Sequence, residues 1–229
     1  MLTKDEYLAR AEADDEWAPG WLALEEAFDA LYPSVEPAHL ATELLSRAVF
    51  GGEDHLDGYS LYPRPDGNQH ILTYGMSALY ANEEYHGREH SGWGYEMTMK
   101  VRADSPDDCS WAVSALHRLA KYTFTQKSWL NPFQLINGQG SPIDGQEGTA
   151  LTSFLVVPDT EVPGIDTVHG RVEFLQLVGI TQAELDWAAA KAGPTAEERQ
   201  AVGRQLAERL IDSGNTHLIT DVSRTESVV

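Results

Sequence analysis

Cysteine is almost missing. Cys109 is the only one in 229 residues, which excludes an intramolecular disulfide and every paired-cysteine metal motif and makes a reducing compartment the simpler expectation. Long apolar runs are missing as well: no window approaches the ~18 residues that a membrane span needs. The opening stretch MLTKDEYLARAEADDEW carries acids where a signal peptide carries bases, and no apolar core follows them. A soluble, cytoplasmic protein is expected. Bases are scarce too: 16 Lys and Arg stand against 36 Asp and Glu, a net charge of −20. Phosphate backbones repel such a surface, which excludes a nucleic-acid binder that works through charge. A basic protein partner would be attracted to it.

Catalytic signatures are also lacking. The chain has no G-x-S-x-G elbow, no G-x-x-x-x-G-K-[ST] phosphate loop and no H-E-x-x-H helix. The glycines of GQGSPIDGQEG (138–148) precede no Lys and open no helix. Two clusters remain. Glu83, Glu84, His86, Glu89 and His90 place two imidazoles at i, i+4, which on a helix would offer zinc two ligands on one face; Gly87 and the following Ser91-Gly92 argue instead for a polar loop. His55 and Asp57 form a conceivable base and orienter. Neither is strong enough to assign a catalytic, cofactor or metal residue, and a metal-dependent hydrolase stands third among the readings.

What is present is an ordinary globular mix, 42% hydrophobic and 23% charged. Residues 1–19 form an acidic, solvated helical extension closed by Pro19-Gly20. Trp21, Leu24, Phe28 and Leu31 then recur at helical spacing. A second helix is expected over 37–49, burying Leu40, Leu44 and Leu45 and ending at Gly51-Gly52. LDGYSLY (56–62) and HILTYG (70–75) read as strands joined by a turn. In GWGYEMTMKVR (92–102), Trp93, Tyr95, Met97, Met99 and Val101 alternate with Gly94, Glu96, Thr98, Lys100 and Arg102, one face to the core and the other wet or against polar groups. Glu96 is expected to pair with Lys100 or a neighbouring strand. A helix at 107–125 presents Trp111, Ala115, Leu116, Leu119 and Tyr122. The Gly/Pro/Asn-rich 126–148 is either a functional loop or hides a short strand. Strands at 149–158 and 170–179 precede two helices with T-x-x-E capping boxes, Thr181/Glu184 and Thr195/Glu198, and HLITDV (217–222) reads as a last strand. The elements interleave without a βαβ rhythm, so the chain reads as one α+β domain over 20–229.

Five ordered stretches carry a family resemblance. LDGYSLY, NQHILTYGMSALY, SGWGYEMTMKV, HGRVEFLQLVGITQAEL and HLITDVSR resemble, in order and spacing, segments of the suppressor-of-fused domain from about Gly20 to Arg224. The resemblance implies an α+β fold with a mixed, mainly antiparallel sheet flanked by helices, and a non-enzymatic protein that works by holding other proteins. Animal members clamp a peptide as an added strand between this domain and a second one. Single-domain bacterial members are proposed as immunity proteins that neutralise toxins, and the chain looks like that form. Tyr80 matches the tyrosine that contacts peptide in animal members. The acidic loop residue of those members has no counterpart here, Arg88 and Glu89 standing nearest its position, and of the HWHY residues only His70 is kept. The tail SRTESVV (223–229), with Val228, corresponds to the edge beside which the peptide lies.

Partner-binding candidates are therefore Tyr80, Arg88, Glu89, Asp221 and Val228. Asp57-Gly58 most simply makes a turn and Asp221 braces a strand end. Two partners are weighed: a basic toxin domain drawn by the −20 charge, and a peptide strand captured by β-augmentation.

Overall fold

The computed structural model describes residues 2–41 and 56–229. Alternating apolar residues in the middle of the chain build one sheet from β1 (Ala38–Ala41), β2 (Gly58–Pro63), β3 (Gln69–Tyr74), β4 (His90–Val101), β5 (Leu135–Asn137), β6 (Leu151–Pro158), β7 (Ile165–Thr167) and β8 (Gly170–Thr181). Their spatial order is β1-β2-β3-β4-β8-β6-β5, with β7 on the start of β8. Only β4 and β8 run parallel; the other pairs are antiparallel. The expected mixed, mainly antiparallel α+β architecture is what forms.

Helices cover both faces. α1 (Lys4–Ala13) and α2 (Pro19–Leu31) come first, α3 (Ser110–Gln126) follows a short 3₁₀ turn, and α4 (Gln182–Lys191) and α5 (Ala196–Asp212) come after β8. Both anticipated capping boxes are made, Thr181 with Glu184 and Thr195 with Glu198. On one face Tyr95, Met97, Met99 and Val101 of β4 pack with Ala112, Ala115, Leu116 and Phe124 of α3. On the other, Leu24 and Phe28 of α2 meet Tyr62, Leu72 and Phe174, and α4 and α5 cover Leu155, Val157 and Val178.

The second face of β4 is not wet. Glu96, Thr98 and Lys100 are fully buried, because α2 and the loop after β6 close over them. Lys100 Nζ reaches Asp159 Oδ1 at 2.8 Å, Thr160 Oγ1 at 2.7 Å and Gln176 Oε1 at 3.1 Å. His70 is held between Tyr32 (2.8 Å) and Asp159 (3.0 Å). Arg64 joins Tyr32 and Glu161 above them. The Lys100 ammonium and the donors around Asp159 keep its carboxylate ionised well below the usual range. Burial, with Lys100 and Arg64 nearby, keeps His70 neutral.

Three expectations need correction. Residues 38–41, assigned to a helix, are β1, which pairs with β2; Leu40 is 42% exposed rather than buried, because a four-residue edge strand turns it outward. The rest of that helix, with Leu44 and Leu45, lies outside the described residues, as do His55 and Gly51-Gly52. The strand expected at 217–222 shrinks to a single parallel bridge, Thr220 to Val101: Leu218 adopts φ 53°, a left-handed conformation that interrupts an extended run. Tyr122 lies outside the α3 core face. Of the two possibilities for 126–148, the hidden strand is the one found, as β5.

Candidate partner-binding site beside Tyr80

Between β3 and β4 the chain must turn and cross the start of β4, and the segment Gly75–Asn82 does so with most of its backbone N–H groups engaged. Glu96 anchors its first half. One carboxylate oxygen accepts Gly75 N (3.1 Å), Ser77 N (2.8 Å) and Ser77 Oγ (2.7 Å), and the other accepts Thr73 Oγ1 (2.7 Å) and Met76 N (3.3 Å). Glu96 thus pairs with the neighbouring strand and its loop, not with Lys100. Burial raises its pKa to about 7 even against these donors. Trp93 N donates to Met76 O at 2.8 Å and Ala78 N to Ser91 Oγ at 3.0 Å.

The second half is fastened by the N-terminal helices. Gly20 N and Trp21 N both donate to Leu79 O. A side chain at Gly20 would put its Cβ 2.0 Å from Ala78 O, so only glycine lets α2 come this close. Asn82 N donates to Tyr7 Oη at 2.7 Å, Tyr7 Oη donates to His169 Nε2 at 2.8 Å, and His169 Nδ1 donates to Ala78 O at 2.8 Å. The carbonyl acceptor requires a proton on Nδ1, so this relay needs a neutral His169. Burial lowers its pKa and favours that form. The acidic helix α1 is therefore tied to the site through its one aromatic, Tyr7, which is fully buried.

Leu79 turns inward on this frame and Tyr80 outward, 52% exposed, with its hydroxyl donating to Asp57 Oδ1 at 3.2 Å. A groove of about 530 Å³ opens beside it, lined by Asp57, Ser77, Tyr80, Tyr85, Trp93 and Phe124 among others. This is a rigid, half-apolar concavity with one projecting aromatic and a carboxylate at its rim. It suits a polypeptide contact.

The other candidates fall in two places. Arg88 and Glu89 follow a 3₁₀ turn at Glu83–Tyr85 and lead into β4. Arg88 Nε donates to Glu84 O at 2.6 Å and its guanidinium lies 5.2 Å from the Tyr85 ring, so it borders the Tyr80 groove. The Glu89 side chain is 91% exposed. Asp221 and Val228 sit at the opposite end of β4, roughly 30 Å of strand away. Asp221 braces that end, as expected, by pairing with Arg102 at 3.0 Å. Val228 N already donates to buried Glu184 Oε1 at 3.1 Å, and Arg224 grips both Glu184 oxygens at 2.5 and 2.9 Å. The tail edge is thus occupied by the chain's own contacts. No helix joins His86 to His90: His86 closes the 3₁₀ turn and bonds Leu2 O, while His90 begins β4.

Tyr7 and His169 escaped the sequence reading, and Gly20 and Ser91 entered it only as turn signals. Tyr7, alone among the aromatics of an otherwise polar helix, was the one available signal; the His169 relay spans 91 positions to Ala78 and has no local pattern.

Comparison with known proteins agrees with this architecture. The model of the family described as Suppressor of fused protein (SUFU) matches residues 52–225. The human Suppressor of fused homolog is 27% identical over 212 residues, 86% of this chain and 42% of its own length, and the mouse homolog matches to the same extent; the chain thus spans less than half of these relatives. A chain in the crystal structure of the Sufu–Fu complex superposes with a TM-score of 0.76 at 26% identity, covering 92% of this chain and 93% of that one. Drosophila Suppressor of Fused gives 0.75 at 27% identity, covering 92% and 51%. A Neisseria gonorrhoeae putative SUFU homolog, at 14% identity and 0.55 over 92% and 97%, shares the fold. With three quarters of the chain matched by the family model, this protein belongs to the suppressor of fused family.

Proposed function

We propose that this chain acts by holding another polypeptide at the Tyr80 groove and makes or breaks no covalent bond. The observation that carries the reading is the contrast at one loop: a half-exposed tyrosine stands on a backbone pinned by a buried carboxylate and by a Tyr7–His169 relay. Fixing a loop in advance removes the ordering cost of binding and leaves the exposed aromatic as an anchor. That a relative of this fold was crystallised as the Sufu–Fu complex supports the same class of role.

The finer reading is an immunity protein that neutralises a toxin domain. The net charge of −20 favours it, since an acidic surface steers onto a basic cleft and raises the association rate. The test is affinity capture from the cells that make the protein, with wild type and Tyr80→Ala in parallel, followed by association rates with the captured partner at about 0.05 and 0.5 M salt. A partner that is lost with Tyr80→Ala supports the groove. A steep fall in association rate with salt supports the basic toxin, whereas a flat one favours capture of a peptide strand.

A further inference from the structure

The sheet ends at β5, and that end is unusually well built for so short a strand. Val156 accepts a bond from Phe133 N at 2.6 Å and donates one to Gln134 O at 2.9 Å, so two residues of one strand face one of the other, a bulge. Phe133 takes φ 64°, and Lys127 and Gln139 are also left-handed, at 51° and 57°. Strained backbone of this kind persists only where the surroundings over-determine it. Here α5 does so: a Cβ on Gly203 would lie 2.0 Å from Phe133 O, and the Arg204 guanidinium sits 4.1 Å over the Phe133 ring. A glycine inside a helix is less favourable than alanine, and its use here is to let β5 dock.

The ladder continues through Ile136 opposite Phe154. Antiparallel alternation then turns the N–H and C=O groups of Leu135 and Asn137 away from β6. Among the described residues no strand pairs that outer edge. Leu135–Asn137 contains no charge and no proline, so only its shortness and the neighbouring bulge blunt this edge.

Grooves flank the edge on both faces of the sheet. On the α3 side a cavity of about 910 Å³ is lined by Trp111, Leu119, Tyr122, Ile136 and Phe154. On the α4–α5 side one of about 570 Å³ is lined by Trp129, Phe133, Leu135, Ala188, Ala189 and Ala192. Tyr122 and Trp129, 53% and 55% exposed, stand at the two mouths. A helix laid here would leave the edge amides unpaired and fill one groove only. A strand pairs the amides and sends successive side chains to opposite faces, one set into each groove.

We infer that the β5 edge is a docking site for an extended apolar polypeptide segment that adds to the sheet as a further strand. Two apolar grooves require consecutive apolar residues, about three opposite Leu135–Asn137 and one more at each end. Exposed Arg118 on the α3 wall favours an acidic residue beside them. The site shares no lining residue with the Tyr80 groove.

The test titrates the full chain with the peptide acetyl-Ser-Glu-Val-Ile-Val-Leu-Val-Glu-Ser-amide and with a control that has proline at its centre. The expected result is saturable binding of the first peptide only, with hydrogen exchange slowed at the Leu135 and Asn137 amides. The surface variants Tyr122→Ala and Ala189→Arg, one for each groove, should each weaken it by about tenfold, while Tyr80→Ala leaves it unchanged. Equal binding of the proline control, unprotected Leu135 and Asn137 amides, or no binding at all would overturn the proposal. So would sedimentation showing that the protein alone dimerises through this edge, which would make the occupant a second copy.

Discussion

Ser77 gives both its backbone N–H and its hydroxyl to the same oxygen of Glu96, at 2.8 and 2.7 Å. A fully buried carboxylate thereby holds the loop that displays Tyr80. Burial raises the folded pKa of Glu96 to about 7, above its ordinary 4.5. The native state therefore binds this proton more tightly than the unfolded chain does. Its contribution is most favourable at low pH and is lost as pH rises from about 4.5 through 7. Glu96→Gln should remove that slope. The difference in thermal midpoint between variant and wild type, followed from pH 5 to 8, checks it: the variant should compare best at the alkaline end.

Tyr7→Phe deletes one hydroxyl and leaves Asn82 N and His169 Nε2 without their partner. The expected cost is about 1–3 kcal/mol, or a few degrees of thermal midpoint in a chain of this size. Amide exchange over residues 78–82 should quicken more than exchange in β6, which distinguishes release of the loop from general loosening.

Beneath α2, Asp159 is the shared acceptor of Lys100 and His70, and all three side chains are fully buried. Asp159→Asn should therefore cost roughly 3–5 kcal/mol, because it removes the one fully buried carboxylate that Lys100 and His70 share and leaves the ammonium only the partly exposed carboxylate of Glu161, 3.0 Å away. The double variant Lys100→Met/Asp159→Leu should recover only part of that loss, since Asp159 also accepts from His70, Thr98 and the Glu161 and Val162 amides. Denaturant unfolding of the single and double variants measures both.

Arg224→Ala removes the bidentate partner of buried Glu184 and frees the tail. Stability should fall by about 2–4 kcal/mol, and protection of the Val228 amide should disappear. An unchanged Val228 amide would mean that Glu184 alone secures the tail.

The fold was largely legible because its signals are local. The alternation in 92–102 gave β4 and its core face, and Thr-x-x-Glu gave the starts of α4 and α5. Alternation could not say that the polar face of β4 would be roofed over, since the roof is α2 and a loop some sixty residues downstream. Leu40 misled because apolar spacing in a short edge strand imitates a helix. The left-handed φ at Leu218 interrupts HLITDV, and the Gln176 side chain takes the His217 and Leu218 carbonyls, neither of which the alternation announces. Of the site, Tyr80 was visible through the family resemblance. Its supports were not, because Gly20, Tyr7 and His169 act across long separations and leave no periodic trace.

Tyr80→Ala tests the central claim most directly. The side chain is half exposed, so the thermal midpoint should move by less than about a degree. The affinity for a captured polypeptide partner, measured by calorimetry, should fall by about tenfold or more. Wild-type affinity in the variant, alongside an intact fold, would contradict the account.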